Sequence, residues 1–288
     1  MHTTRRKLIT SLLLLSVMTS PSLAQLPTFT HVFVVLEENT NYSSVIGNKA
    51  APYLNSLASH YGLATQYYAN THPSIGNYFM LTTGEIITNN DGFQGVVKND
   101  NVVRHLLGAG KTWKAYEESL PYAGYTKPDV GRYARRHCPL SYLSDVVNSK
   151  TERLNLVPFT QFKTDLGNDS FPDYSFITPN LCNDAHDCSL STADKWLKKN
   201  IQPLVQSKSF QSGGLLILVF DEAGSDNTHG GGRVAWLAVS PKFSKRKFQS
   251  TKLYQHENTL RLMMQGIGLT SYPGKAKSAN NMAEFFHR

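Results

Sequence analysis

The sequence predicts an α/β protein, an α/β/α sandwich around a largely parallel sheet, and three observations carry that expectation. Apolar, β-branched runs alternate along the chain with segments of helical period, the pattern of a sheet covered by helices. No internal repeat, low-complexity tract or Pro/Ser-rich linker interrupts the region after the first two dozen residues, so one large domain over 25–288 is expected. A domain of that size buries about 70–75% of its unfolded surface. Three of the apolar runs, finally, end in acidic and amide residues, the positions that line the ligand crevice of an open α/β sheet.

The elements follow in chain order. Residues 1–24, "MHTTRRKLITSLLLLSVMTSPSLA", have a basic head (Arg5, Arg6, Lys7), a leucine-rich core and a small-residue end. They are expected to be a cleaved export signal, which puts the processed chain, starting at Gln25, in the periplasm or outside the cell. The core is too short for a permanent anchor, and no later run reaches membrane length, so no transmembrane anchor is expected after processing. "HVFVVLEEN" (31–39) is the first strand, followed by helices over 51–61, 74–83 and 101–109. "YSFITPN" (174–180), "GGLLILVFDEA" (213–223) and "VAWLAVSP" (234–241) are further strands, with a helix over 192–206 between the first two. The last helix is expected over 257–267, where Leu260, Met263, Met264 and Ile267 recur at i, i+3, i+4 and i+7 before Gly268.

Composition narrows the partners. Twenty-nine Lys and Arg stand against 21 Asp and Glu, a net charge of +8, and three of the cations lie in the leader. The remaining excess is mild and favours anionic substrates or surfaces. The densest basic stretch, "KFSKRKF" (242–248), is a solvated loop rather than a nucleic-acid grip, so no nucleic-acid partner is expected. Of the three cysteines, Cys182 and Cys188 bracket a short polar loop that a disulfide could close in an exported protein; pairing of Cys138 with either stays open.

The polar strand ends are Glu37-Glu38-Asn39, then Asn180 leading into Asn183-Asp184-Ala185-His186-Asp187, then Asp221-Glu222. One such end is an ordinary helix cap. Three in one chain, brought to one sheet edge, make a hard-cation site with room for imidazole, suited to one or more divalent ions (Ca, Mg, Mn or Zn). Such an ion offsets charge on phosphoryl oxygens and activates a hydroxyl. The hydroxyl is sought in "ANTHPSIGNYFMLTTG" (69–84), where Ser74 opens a helix whose first N–H groups favour phosphate. Ser74 reads equally as a helix cap. Asn77, one turn on, shares its helical face and is a candidate donor to a phosphoryl oxygen. Gly76 permits a close backbone approach.

"LEEN", "HPSIGNYFMLTTG", "NDAHD", "FDEAGSDNTHGGG" and "YQHENTLRLMMQGIGL" together resemble, in order and over nearly the whole processed chain, the bacterial phosphoesterase family of secreted acid phosphatases and phospholipases C. The branch it most resembles is the secreted acid phosphatase type acting on phosphatidylinositol 3-phosphate. The resemblance implies an alkaline phosphatase-like fold with the metal site at the carboxyl edge of the sheet. It implies Glu38, Asn39, Asp221 and Glu222 as metal ligands and Ser74 as nucleophile. That nucleophile sits in Ser74-Ile-Gly-Asn77, where glycine replaces the family's usual proline; Thr71 is the rival, without an asparagine three residues on. It gives His186 a role at the phosphate or the leaving oxygen. His137, in "YARRHCP", would reach the phosphate and Arg136 would clamp the substrate, against a reading of both as a basic surface turn. His256 is a further site candidate, and His229 in "THGGG" would line the mouth or mark a mobile loop. Asp184 and Asp187 would ligate metal or orient His186.

The function expected is a secreted, metal-assisted phosphomonoesterase working through a phosphoserine. Its partner is a phosphate-ester substrate, a phosphoinositide at a membrane surface being one candidate. A phospholipase C using the same site on diesters is the alternative, and a non-catalytic calcium-binding protein is the alternative from another class. No G-x-S-x-G elbow supports an acyl hydrolase.

Overall fold

The computed structural model describes His2 and residues 26–287. The expected leader and its cleavage point before Gln25 therefore fall outside the described residues, His2 apart.

Eight strands form one sheet: β1 (Val32–Glu37), β2 (Gly62–Ala64), β3 (Trp113–Glu117), β4 (Leu156–Pro158), β5 (Tyr174–Thr178), β6 (Leu215–Phe220), β7 (Trp236–Val239) and β8 (Gln249–Ser250). Their order is β4-β3-β5-β1-β6-β7-β2-β8. β1, "VFVVLE", and β6, "LLILVF", are apolar almost throughout because they lie centrally and are buried on both faces. All pairings are parallel except those of β7, which runs antiparallel to both β6 and β2. Helices cover the sheet in two groups. Ser74–Thr83 packs on His256–Gly266 and Val102–Gly108, whereas Pro52–His60 packs on Leu190–Asn200.

The four strands expected from apolar runs are all present, trimmed at their polar ends. β2, β3, β4 and β8 carry no comparable apolar run. β3, "WKAYE", tolerates Lys114 because the ammonium reaches the buried Asp165 carboxylate at 2.6 Å, which Tyr116 also approaches. The helix expected over 192–206 is two, Leu190–Asn200 and Gln202–Gln206. Pro203 breaks it, since proline lacks the N–H and its ring collides with the carbonyl four residues back.

Register brings the polar strand ends together. β1 and β6 pair from Val32↔Leu215 to Glu37↔Phe220, so Glu38 and Asp221 leave the sheet side by side. Backbone bonds then tie three segments: the Asp221 N–H donates to the Glu37 carbonyl (2.9 Å) and the Glu38 N–H to the Asp184 carbonyl (2.7 Å). Cys182 and Cys188 form a disulfide across the Asp184 loop, and Cys138 is a buried free thiol. The reversal of β7 sends the basic 242–248 loop to the opposite, amino edge, where the Lys247 N–H meets the His60 carbonyl and Arg246 stacks on Tyr61.

Candidate active site

Four acids from three strand ends gather at the carboxyl edge, and all are buried: Glu38, Asp184, Asp221 and Glu222. Desolvation opposes ionisation in such a place and each charge opposes the others. Burial, then repulsion from Asp221 and Asp184, pushes Glu38 well above the usual carboxylate range. Burial drives Asp221 up to about 7, with Glu222 adding to it, and burial carries Asp184 and Glu222 to about 7 as well. Asn39, in a left-handed turn (φ 50°), donates its backbone N–H to Asp221 Oδ1 at 3.1 Å and its amide to Glu38 Oε2 at 3.3 Å.

Ser74 points into this cluster. Its hydroxyl lies 3.1 Å from Glu38 Oε2 and 3.2 Å from Glu222 Oε1. Ser74 is the first helical residue, Pro73 occupies the cap position, and the Ile75 N–H is met by Asp91 Oδ1 at 3.3 Å rather than by Ser74. The capping role is thereby overturned. The helix it opens is buried along its whole length and stops at Gly84, whose left-handed backbone (φ 71°) abuts the Pro273 carbonyl.

Asn77 does not turn to a phosphoryl position as expected. Its Oδ1 accepts the backbone N–H groups of Asn70 (2.9 Å) and Thr71 (3.2 Å), and its amide donates to the Thr71 carbonyl (2.8 Å). The residue is fully buried and braces the turn before Ser74. Thr71 bonds the His72 carbonyl instead of an acid. A Cβ on Gly231 would come 2.4 Å from the Thr71 carbonyl oxygen, so the glycines after His229 serve close packing against this backbone, not ligand approach. His229 itself is exposed and packs edge-on against Tyr68, with ring centroids 4.4 Å apart.

His137 is buried, stacked 3° from parallel on Tyr78, whose hydroxyl donates to Glu38 Oε1. Its Nε2 lies 3.3 Å from Glu38 Oε1 and its Nδ1 3.4 Å from Asp184 Oδ2. Burial, then the neighbouring Arg136 charge, holds its pKa well below the usual imidazole value, so the ring is neutral. His186 is exposed, with its ring centroid 5.7 Å from that of His137. Asp187 Oδ1 holds His186 Nδ1 at 2.7 Å, and Asp184 Oδ1 accepts the His186 backbone N–H at 2.9 Å. Arg136 does not aim at the site; it pairs with Asp129 at 2.7 Å. The surface-turn reading fails for His137, which is buried, while Arg136 is paired with Asp129 yet near enough for its charge to act on His137.

The donor set fits a divalent cation. Glu38, His137 and His186 each offer a ligand atom, all within 4.8 Å of one another. Asp184 Oδ2, Asp221 Oδ2 and His137 Nε2 are buried without any hydrogen-bond partner. Acceptor atoms in that state are costly unless a cation or donor meets them.

His256 is fully buried and never reaches the acids' side chains. Its Nε2 sits 2.7 Å from the backbone carbonyl of Asp221, and burial lowers its pKa to about 4. The carbonyl only accepts, so the neutral ring carries its proton on Nε2 and accepts at Nδ1 from the Tyr67 hydroxyl (3.0 Å). That hydroxyl in turn accepts from Thr259 (2.7 Å), and Thr259 accepts from the Trp236 indole N–H (2.8 Å). Every proton in this chain has one direction, and its end fixes the Asp221 backbone.

Two residues escaped the sequence reading. His72 Nδ1 is 2.7 Å from Glu222 Oε2 and its Nε2 3.1 Å from the Asp226 carbonyl. Tyr78 bridges Glu38 and His137 as described. Both were discoverable by position: His72 lies two residues before Ser74, and Tyr78 one helical turn after it.

The model of the phosphoesterase family matches residues 48–270, a span that begins after Glu38 and takes in Ser74, His137, Asp184, Asp221 and Glu222. A phosphatidylinositol-3-phosphatase of Mycobacterium tuberculosis is 36% identical over 68% of this chain and 64% of its own length. A probable acid phosphatase of Kluyveromyces lactis is 35% identical over 67% of this chain and 48% of its own. The chain thus spans between about half and two thirds of the curated relatives it matches. Among solved structures, an alkaline phosphatase-superfamily protein from Vibrio parahaemolyticus aligns with a TM-score of 0.58 at 13% identity, over 86% of this chain and 68% of that one. The phosphonate monoester hydrolase of Agrobacterium radiobacter aligns at 0.56 and 12% identity, over 88% and 77%. At such identities the likeness is one of fold.

Proposed function

This chain belongs to the phosphoesterase family, and from that premise we propose that it hydrolyses phosphate monoesters with Ser74 as the nucleophile. The observation that carries the proposal is the Ser74 hydroxyl, uncapping and buried, within 3.2 Å of both Glu38 and Glu222. The names of the relatives, a phosphatidylinositol-3-phosphatase and acid phosphatases, support the same class.

In the reaction, Ser74 Oγ forms a bond to phosphorus while the ester P–O bond breaks. The serine proton passes to the Glu222 carboxylate, whose pKa of about 7 leaves it partly ionised and able to take a proton near neutrality. His186, exposed and oriented by Asp187, delivers a proton to the leaving oxygen. A water then attacks the phosphoserine, gives its proton to His186, and the Ser74 oxygen recovers its own. Glu38, Asn39, Asp221, Glu222 and Asp184, with His137, are the residues that would hold divalent metal, one ion or more, with His186 left free to move the proton. Metal there supplies charge neutralisation for the phosphoryl oxygens and the acid cluster. Asn77, His256 and Tyr78 position these groups without touching substrate. Export of a single domain beginning near Gln25 completes the proposal; among the described residues no helix is long and apolar enough to cross a membrane.

The test is phosphate release from a panel of mono- and diesters by purified protein of measured metal content. Monoester turnover that a chelator abolishes and a divalent ion restores is expected. Turnover of diesters alone, or metal binding with no phosphate released from anything, would overturn the reading.

A further inference from the structure

Beside the acid cluster, on the same edge, lies a cleft of about 530 Å³ that the chemistry above does not use. Its walls come from the carboxyl ends of β3, β4 and β5 and from the Leu190–Asn200 helix. Asn183 lines it, and the next residue, Asp184, faces the reacting site.

The chemistry of the cleft is that of an anion seat with an apolar floor. Lys195 and Lys199, four apart on one helix face, and Lys163 across from them all line it. None of the three has a carboxylate within ion-pair distance among the described residues, although Lys111, Lys114 and Lys252 do. The carboxylate in the wall, Glu118, is engaged: its Oε2 accepts the Asn180 backbone N–H at 3.0 Å and the Asn183 amide at 2.9 Å. Phe159 and Trp196, centroids 4.9 Å apart, supply the apolar side, and the Trp196 indole N–H is buried with no partner. Phe159 also holds the cap position of the Thr160–Asn168 helix, which no side chain caps, so the positive end of that helix opens on the same space.

We propose that this cleft binds a second anionic group of the substrate, making the preferred substrate a phosphomonoester that carries another phosphate or carboxylate on a short spacer. The proposal rests on the phosphomonoesterase reading for its kinetics but not for binding. Three unpaired ammonium groups and a helix end offer an anion several charge-assisted contacts, whereas a neutral arm would leave them idle.

The test compares p-nitrophenyl phosphate with α,ω-alkanediyl bisphosphates of two to eight carbons, on wild type and on the Lys163→Ala/Lys195→Ala/Lys199→Ala variant. Wild type should favour at least one bisphosphate over the monophosphate by tenfold or more in kcat/KM, mainly through KM. The variant should lose that preference while p-nitrophenyl phosphate turnover stays within twofold. In parallel, the same bisphosphates should shift the Trp196 emission of wild type, and Trp196→Phe should remove the shift. A variant that keeps the preference, or a wild type whose emission ignores the bisphosphates, overturns the proposal. An emission shift without turnover of any ester leaves the anion cleft standing and sinks the phosphomonoesterase reading instead.

Discussion

Ser74 and Thr71 lie three residues apart, yet only Ser74 is presented to acids; Thr71 is turned onto its own backbone. Ser74→Ala should therefore lower monoester turnover at least a thousandfold, while Thr71→Ala keeps most of it. Ser74 caps nothing, so the Ser74→Ala variant loses only the hydroxyl's bonding to Glu38 and Glu222 and should unfold within about 0.5–1.5 kcal/mol of wild type, the net worth of a hydrogen bond. Steady-state kinetics and calorimetry on the two variants decide this, and a dead Thr71→Ala beside an active Ser74→Ala would move the nucleophile. His256 poses a different case. His256→Ala strands the Asp221 carbonyl and the Tyr67 hydroxyl in the interior, and a stranded buried group costs about 1–3 kcal/mol. It should lower both the melting temperature and the metal content, with KM little changed. The acids and Ser74 were legible in the sequence because strand ends and helix starts are fixed by local pattern. The roles of Asn77, Arg136 and His229 were not, since a polar residue's partner depends on what folds opposite it. Asn77 met the 70–71 backbone and Arg136 met Asp129.

Helices on the sheet also complete one another's ends. The Pro52–His60 helix has Ala51 at its cap and no capping side chain of its own. Asp194, from the Leu190–Asn200 helix, accepts the N–H groups of Tyr53 (3.1 Å) and Leu54 (2.8 Å) in its place. Asp194→Ala should cost about 1–2 kcal/mol, as a lost cap does, and leave turnover unchanged; denaturant unfolding with parallel kinetics measures both. The Cys182–Cys188 bridge should show the reverse balance. It spans the loop that carries Asp184 and His186, so reduction should lower turnover several-fold at temperatures where far-UV dichroism is unaltered. β6 and β7 announced themselves as unbroken apolar runs, β1 as one broken only by Glu37 at its end and β5 as a run rich in aromatic and β-branched residues, because all four are buried on both faces. β2, β4 and β8 are two or three residues long, and β3 mixes Lys114 and Glu117 into its run, so their pairing is decided by the strands beside them rather than by their own residues.

At the scale of the molecule, the acid cluster makes stability depend on pH in a direction opposite to the usual one. In the unfolded chain the carboxyls lose their protons near pH 4. In the folded chain Asp184, Asp221 and Glu222 keep them to about 7. Between those values these carboxyls bind more protons in the folded state, so stability of the metal-free protein should fall as pH rises from about 4 to about 7 and go on falling beyond it while Glu117, which burial pushes up to about 8, ionises. A bound divalent ion favours the charged carboxylates, and saturating metal should flatten or invert the slope. Melting temperatures across that range, with chelator and with metal, check it; a metal-free protein that grows more stable from pH 5 to 7 would contradict the arrangement of acids. The reversed strand β7 has a consequence of another kind. It gives the molecule a handle and a working end on opposite rims: the basic 242–248 loop on one, the serine and acids on the other. Adsorbed to a polyanionic bead or bilayer by that loop, the protein would stand with Ser74 and the acid cluster turned outward to the solution, away from the surface beneath it.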